Sequence, residues 1–284
     1  MTGPTPLPVA HRRPSRDPAS LFASLWRERK LIAQLVRRDV LGRYRGSMVG
    51  LAWSFLYPVL MLLVYTFVFT VVFEARWPGV LAGESKARFA LLLFVGVLCH
   101  GFLAEVLLKA PATVVGNANY VKRVVFPLEA LGFTLVGSAA FHALVGLLIL
   151  LAAKVVVEGT LPPTALWLPV VLAPLGCIAL GIAWLLAALG VFVRDIGQIA
   201  GVLATLLMFL APVFYPVSAL PEAVRPWMHA NPITVPIEQA RLVLFAGQSP
   251  DVGPMLLYWG SAVLVMLGGY AVFQALRRGF ADVL

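Results

Sequence analysis

Residues 51–73, LAWSFLYPVLMLLVYTFVFTVVF, carry no charge. As a helix rising 1.5 Å per residue, a run of this length covers the roughly 30 Å hydrocarbon core of a bilayer. Five further apolar runs follow at about 89–108, 128–153, 164–193, 196–212 and 255–276. Together they predict an all-α polytopic membrane protein with six transmembrane helices. Composition agrees. Of 284 residues 61% are hydrophobic and 12% charged, where a soluble domain carries about 25% charged residues.

The formal net charge is +9. Ten of the 22 Lys and Arg residues precede Leu51, and no basic face with interleaved aromatics remains elsewhere, which excludes a nucleic-acid binder. The excess reads instead as topology, because loops on the cytoplasmic side collect Lys and Arg. With six spans and both termini inside, sixteen basic residues fall inside and six outside. That bias predicts cytoplasmic N and C termini. Cys99 and Cys177 sit in apolar runs, with no disulfide framework or metal spacing.

The segments between the spans are uneven in character. Residues 1–20 hold five prolines and no apolar stretch long enough for a signal peptide, and are predicted to form a disordered cytoplasmic tail. Residues 21–48 predict an amphipathic helix in the membrane interface. At 100° per residue Leu21, Leu25, Ile32, Leu35 and Val36 share a face, although Glu28 and Asp39 fall on the same stripe. Glu105 and Lys109 stand in the favourable i,i+4 order for an ion pair closing the second span. Gly197 and Gly201 form a small-xxx-small pair that suits either close helix packing or chance. His142 lies within the third span, where a structural hydrogen bond to a neighbouring helix is the preferred reading.

Two polar or broken segments stand out. Residues 109–127 are too polar to cross a membrane and form either a docking element or a plain connection. Residues 211–240 contain Pro212, Pro216, Pro221, Pro226, Pro232 and Pro236, a spacing that excludes continuous helix. An apolar, proline-broken segment beside a span predicts re-entrant short helices lining a cavity, the alternative being an external folded loop.

Several of these pieces resemble one family in order. Arg38-Asp39, then Arg43-Tyr44-Arg45-Gly46-Ser47-Met48-Val49-Gly50-Leu51-Ala52-Trp53 and Pro58, resemble the start of the membrane subunit of bacterial polysaccharide ABC exporters, the O-antigen, capsule and teichoic-acid permeases. Asn119-Tyr120 through Phe126-Pro127 is similar to the loop after that family's second helix, and Val193-Arg194-Asp195-Ile196 to the loop after its fourth. Pro212-Val213-Phe214-Tyr215-Pro216 and Asn231-Pro232-Ile233-Thr234, with Glu238 and Arg241, resemble its external re-entrant region.

The resemblance implies a bacterial inner-membrane permease with an N-terminal gate helix including Trp26, Arg37, Arg38, Arg43, Tyr44 and Arg45. It implies a homodimer working with two ATP-binding-cassette subunits that bind the ATP and Mg. This chain has no GxxxxGK[ST] loop of its own. Asn117, Asn119, Tyr120, Lys122 and Arg123 would couple to the ATPase, with Arg194 and Asp195 at a second contact. The cargo would be a lipid-linked polysaccharide, O-antigen-like in preference to capsule or teichoic acid, with membrane lipids and periplasmic export components as further partners. Aromatic rings can meet the C–H faces of sugars without fixing one hydrogen-bond pattern, so Trp53, Tyr57, Tyr65, Phe69, Phe214 and Tyr215 are candidates to line a channel, or else an interfacial belt. A drug or lipid exporter of the same architecture is the nearest alternative. A membrane enzyme is disfavoured, because the acidic residues are scattered and no metal or paired-carboxylate motif is present.

Overall fold

The computed structural model describes residues 18–68, 86–122 and 126–284, so Phe69, Arg123 and nearly all of the expected tail at 1–20 lie outside the described residues. Every regular element described is helical. In chain order these are α1 (Pro18–Arg43), α2 (Trp53–Phe67), α3 (Lys86–Lys109), α4 (Ala118–Lys122), α5 (Ala130–Glu158), α6 (Leu168–Phe192), α7 (Ile196–Phe209), α8 (Arg225–Met228), α9 (Thr234–Arg241), α10 (Val252–Leu276) and α11 (Phe280–Val283), joined by short 3-10 turns.

Helix α6 is the centre of the bundle, and it is packed by small residues. A Cβ on Gly181 would overlap the backbone of Val265 and Met266, and one on Gly269 would overlap the backbone of Gly181. Helices α6 and α10 therefore meet backbone to backbone. Lipid tails are as apolar as leucine, so helices in a membrane gain little from burying apolar surface against one another. Close van der Waals approach has to supply the attraction. Gly190 admits the backbone of Pro111 in the same way, and Gly132 makes room for the indole of Trp184. That indole is fully buried, donates its Nε1–H to Glu129 O at 3.1 Å, and meets Phe133 and Tyr270 edge-on at 5.2 Å.

The small-xxx-small pair Gly197 and Gly201 makes no such contact. A Cβ on Gly197 would meet nothing within 4 Å, and one on Gly201 would only touch Leu108 Cδ2 at 3.9 Å. The close-packing pair is Gly181 with Gly269, on two elements far apart in the chain.

Five of the described helices are long and apolar enough to cross a membrane: 50–67, 87–112, 130–158, 163–192 and 252–283. The expected fifth span is the exception. Helix α7 has 14 residues, which gives about 21 Å of length. The apolar run continues to Pro212, but helix geometry is lost at Leu210 (φ −88°, ψ 10°). Pro212 lacks the N–H to continue it and disfavours helical backbone at the residue before it. Among the described residues the count of full-length spans is thus five, plus one short apolar helix.

Both ends of the bundle are tied by polar pairs. At one end Arg277 bonds Glu129 Oε2 at 3.0 Å and Phe126 O at 3.3 Å. At the other, Lys154 pairs with Glu158 one helical turn on, Arg88 lies 3.6 Å from the same carboxylate, and Arg88 donates to Phe245 O at 3.1 Å. Gly159 (φ 74°) ends α5 in the left-handed conformation and returns its N–H to Val155 O.

Replacing Gly181 by Leu is expected to lower stability by about 1–3 kcal/mol through overpacking. Gly260→Ala, where a new Cβ meets nothing within 4 Å, should leave it unchanged. Thermal unfolding of the two variants in detergent checks the contrast.

Candidate functional site

The segment after α3 is held from above and leaves its polar side outward. The chain exits α3 through 3-10 turns at Ala110–Ala112 and Val115–Asn117 before α4. Ala110, Pro111 and Val114 are buried, fixing the segment beneath α6. Val121, Tyr120 and Phe126 pack with Phe273 and Phe280, so the C-terminal helix α11 braces α4. Tyr120 stacks on Phe126, with centroids 4.4 Å apart and ring planes 12° apart. Asn119 is exposed, and Asn117 is half-buried, donating to Thr113 O at 2.9 Å. Lys122 ends α4. Arg194 and Asp195 are exposed at the break between α6 and α7, where Val193 turns extended and Asp195 O accepts the N–H groups of Gln198 and Ile199.

Helix α1 packs against α5. Leu35 and Val40 are buried, and Val36 fills the space left by Gly137. Its basic residues part company. Arg37 and Arg45 are exposed, as is Trp26, whose ring lies 4.6 Å from the Arg29 guanidinium carbon. Arg38 donates to the Tyr120 hydroxyl at 3.0 Å, joining α1 to α4. Tyr44 meets the His142 ring edge-on at 6.0 Å. Between α1, the end of α3 and the start of α5 lies a polar cleft of about 180 Å³, lined by Arg38, Asp39, Lys109, Thr113, Asn117 and Thr134 among others.

At the head of this cleft four polar residues from three elements converge. Glu105 Oε1 accepts from Lys109 Nζ at 2.7 Å and from Arg43 Nη1 at 3.0 Å. Arg43 Nη1 also lies 3.1 Å from His142 Nδ1. A guanidinium only donates, so the imidazole accepts, through Nδ1 or through Nε2, which lies 3.3 Å away. The expected Glu105–Lys109 pair thus forms, and His142 makes the expected bond to a neighbouring helix. Arg43 joining both was not foreseen. The only signal for it was a pair of polar side chains inside apolar runs with no stated partner on α1.

The aromatic candidates do not form one surface. Trp53 and Tyr57 are exposed on α2, a helix whose one buried residue is Ser54. Tyr65 packs inward against the cluster of Leu91, Phe94 and Val243. Phe214 packs against the central core, and Tyr215 is half-buried and donates its hydroxyl to Phe209 O at 2.8 Å.

The segment after α7 is broken and then stitched. Val217–Ala219 is a single 3-10 turn, α8 is one helical turn, and α9 opens into a wider turn at Leu242–Ala246. Its backbone groups are recovered by side chains. The buried guanidinium of Arg241 donates to Leu92 O at 2.9 Å, Pro212 O at 2.6 Å and Val213 O at 2.9 Å. Asn231 donates to Leu207 O, Tyr258 to Pro232 O and Thr234 to Met228 O. His100 Nε2 lies 2.9 Å from Ala204 O. Gly96 on α3 lets Val213 approach, since a Cβ there would lie 2.8 Å from Val213 Cα.

A membrane-spanning bundle with no ATP-binding loop, an outward polar segment between two spans and a second polar break between two others has the layout of a transporter's membrane subunit. The family model of the ABC-2 type transporter matches residues 30–245, and the chain belongs to that family. Among curated proteins it is similar to an O-antigen export system permease protein RfbA of Myxococcus xanthus, 28% identical over 265 residues that make up 92% of this chain and 98% of the relative. It is also similar to an RfbA of the same description from Klebsiella pneumoniae, 24% identical across 89% of this chain and 95% of the relative.

Arg241→Leu removes the donor to three carbonyls at once and is expected to cost about 3 kcal/mol of stability, with Lys a poor substitute because it lacks the planar fork. Thermal unfolding of R241L and R241K beside the parent protein checks this.

Proposed function

We propose that this chain is the membrane half of an ATP-driven exporter that moves a lipid-linked polysaccharide, O-antigen-like in preference to capsule or teichoic acid, out of the cytoplasm. The observation that carries the reading is similarity over nearly the whole length to permeases described as O-antigen export components. The absence of a phosphate-binding loop from the sequence fits a separate ATPase that binds ATP and Mg.

In this reading the bacterial inner membrane holds two copies of the chain, each with an ATP-binding subunit. The exposed apolar faces of α2 (Leu56, Leu60, Leu63) and α7 (Val202, Leu206, Phe209) suit contact with a second copy or with lipid. Five long spans alone would leave the termini on opposite sides; with α7 and the broken segment after it completing a sixth crossing, the charge bias puts both termini in the cytoplasm, and with them the 109–127 coupling segment and Arg194–Asp195. The stitched segment at 211–240 then enters from the external side. Arg241 reaches Leu92, about 9 Å along α3 from its first residue, which is a depth where broken backbone is tolerated only inside protein or along a cavity. Exposed Trp53 and Tyr57, with half-buried Tyr215, remain available to meet sugar faces.

Co-expression with a cognate ATP-binding-cassette subunit should yield a complex on affinity purification. Asn119→Ala with Tyr120→Ala is expected to lower export about tenfold or more while membrane insertion is unchanged, as loss of a central interface contact would. Undiminished export in cells lacking any such ATPase would remove the proposal. Cysteines placed at Asn119 and Arg194 should be labelled from the cytoplasmic side, and one placed at Ser249 from the outside.

A further inference from the structure

We infer that Glu105 is a positioning residue for transport, tying helix α1 to the arm of α3 that carries the coupling segment; this rests on the exporter reading above. Three observations converge on it. Glu105 is the shared acceptor of Arg43, the last residue of α1, and of Lys109, the last residue of α3. Its carboxylate is largely enclosed, at 14% side-chain exposure, while both cations remain open at 41%. Beyond Lys109 the chain turns at once into the segment that reaches Tyr120, and Tyr120 is itself bonded to Arg38 of α1.

Helix α1 and the coupling segment are therefore bridged at two polar points, Arg43–Glu105–Lys109 and Arg38–Tyr120. Between them is a cleft of about 180 Å³, lined by Arg38, Asp39, Lys109 and Asn117 as well as by Leu35, Leu131 and Leu135. Polar bridges across a cleft can exchange partners as the segment moves, whereas close-packed cores resist continuous deformation. A displacement of Lys109 changes what Glu105 can offer Arg43. His142 on α5 offers Arg43 a second acceptor beside the carboxylate. The carboxylate thus sets where the end of α1 sits, and with it the Tyr44–Gly50 turn that leads into α2.

The contact has a reporter that does not depend on any cargo. A Cβ built on Gly137 lies 3.8 Å from Val36 Cβ, the separation of a disulfide. In the full-length chain in membranes, with Cys99 and Cys177 replaced by Ala, Val36→Cys with Gly137→Cys should cross-link on brief oxidation. Adding Glu105→Gln or Arg43→Gln is expected to reduce the cross-linked fraction about threefold, the scale of a half-exposed ion pair. The two together should reduce it no further. Glu105→Asp should restore it.

In the complex with its ATPase, Glu105→Gln should lower export about tenfold while ATP hydrolysis is retained. Unchanged cross-linking, or independent effects of the two Gln variants, would overturn the tie. Weakened cross-linking with normal export would overturn its role in transport. Failure of the parent complex to export any polysaccharide would count against the exporter reading, while the cross-linking result would still decide whether Glu105 holds α1.

Discussion

A backbone group in hydrocarbon has no water to bond, so every N–H and C=O removed from a helix must find a partner within the protein. That constraint governs the segment after α7. Helix geometry stops at Leu210 and resumes in α9, and the carbonyls exposed between them are recovered by a small set of side chains. Arg241 takes two of them, Pro212 O and Val213 O, and Tyr258 and Thr234 one each, while Arg241 and Asn231 also tie the segment to Leu92 O of α3 and Leu207 O of α7. The guanidinium suits this task because its five donors are held in a fixed plane. The broken segment becomes as well anchored as a helix, and it can carry Phe214 and Tyr215 at defined positions.

The rest of the bundle follows the complementary rule. Where helices are intact their backbone groups are satisfied internally, and association depends on how closely two helices can approach. Gly181 against Gly269 and Gly190 against Pro111 give α6 this contact along its length. With α6 locked to α10 and to the turn at 110–112, the more exposed elements are α1 and α2.

Much of the fold was legible in the sequence because hydrocarbon leaves so few options: uncharged runs near twenty residues became helices, and proline spacing excluded a continuous helix over 211–240, where only the short α8 and α9 form. Pairs within one helix were also legible, as with Glu105 and Lys109 at i,i+4. Pairs between elements were not. Arg43 meets His142 from 99 positions away, and Arg241 meets Leu92 from 149. Nothing in a local pattern marks which distant carbonyl or carboxylate a cation will face. The glycines show the same cause: of the two readings open for Gly197 and Gly201 the structure favours chance, since they carry the spacing without a facing backbone, while Gly181 and Gly269 have the backbone without the spacing. Of the proposed channel aromatics, Tyr65 went inward because α2 turns that face to α3, a choice its uniformly apolar sequence does not record.

The central claim is that this chain provides a path for lipid-linked polysaccharide and that a separate subunit's ATP hydrolysis drives it. The most direct measurement uses proteoliposomes containing the purified complex and a lipid-linked polysaccharide, with the fraction reaching the opposite face followed over time. The account predicts translocation that requires ATP and Mg and vanishes when the ATP-binding subunit is left out. Translocation at the same rate without nucleotide, or none for polysaccharide beside clear ATP-driven movement of a small amphiphile, would contradict it.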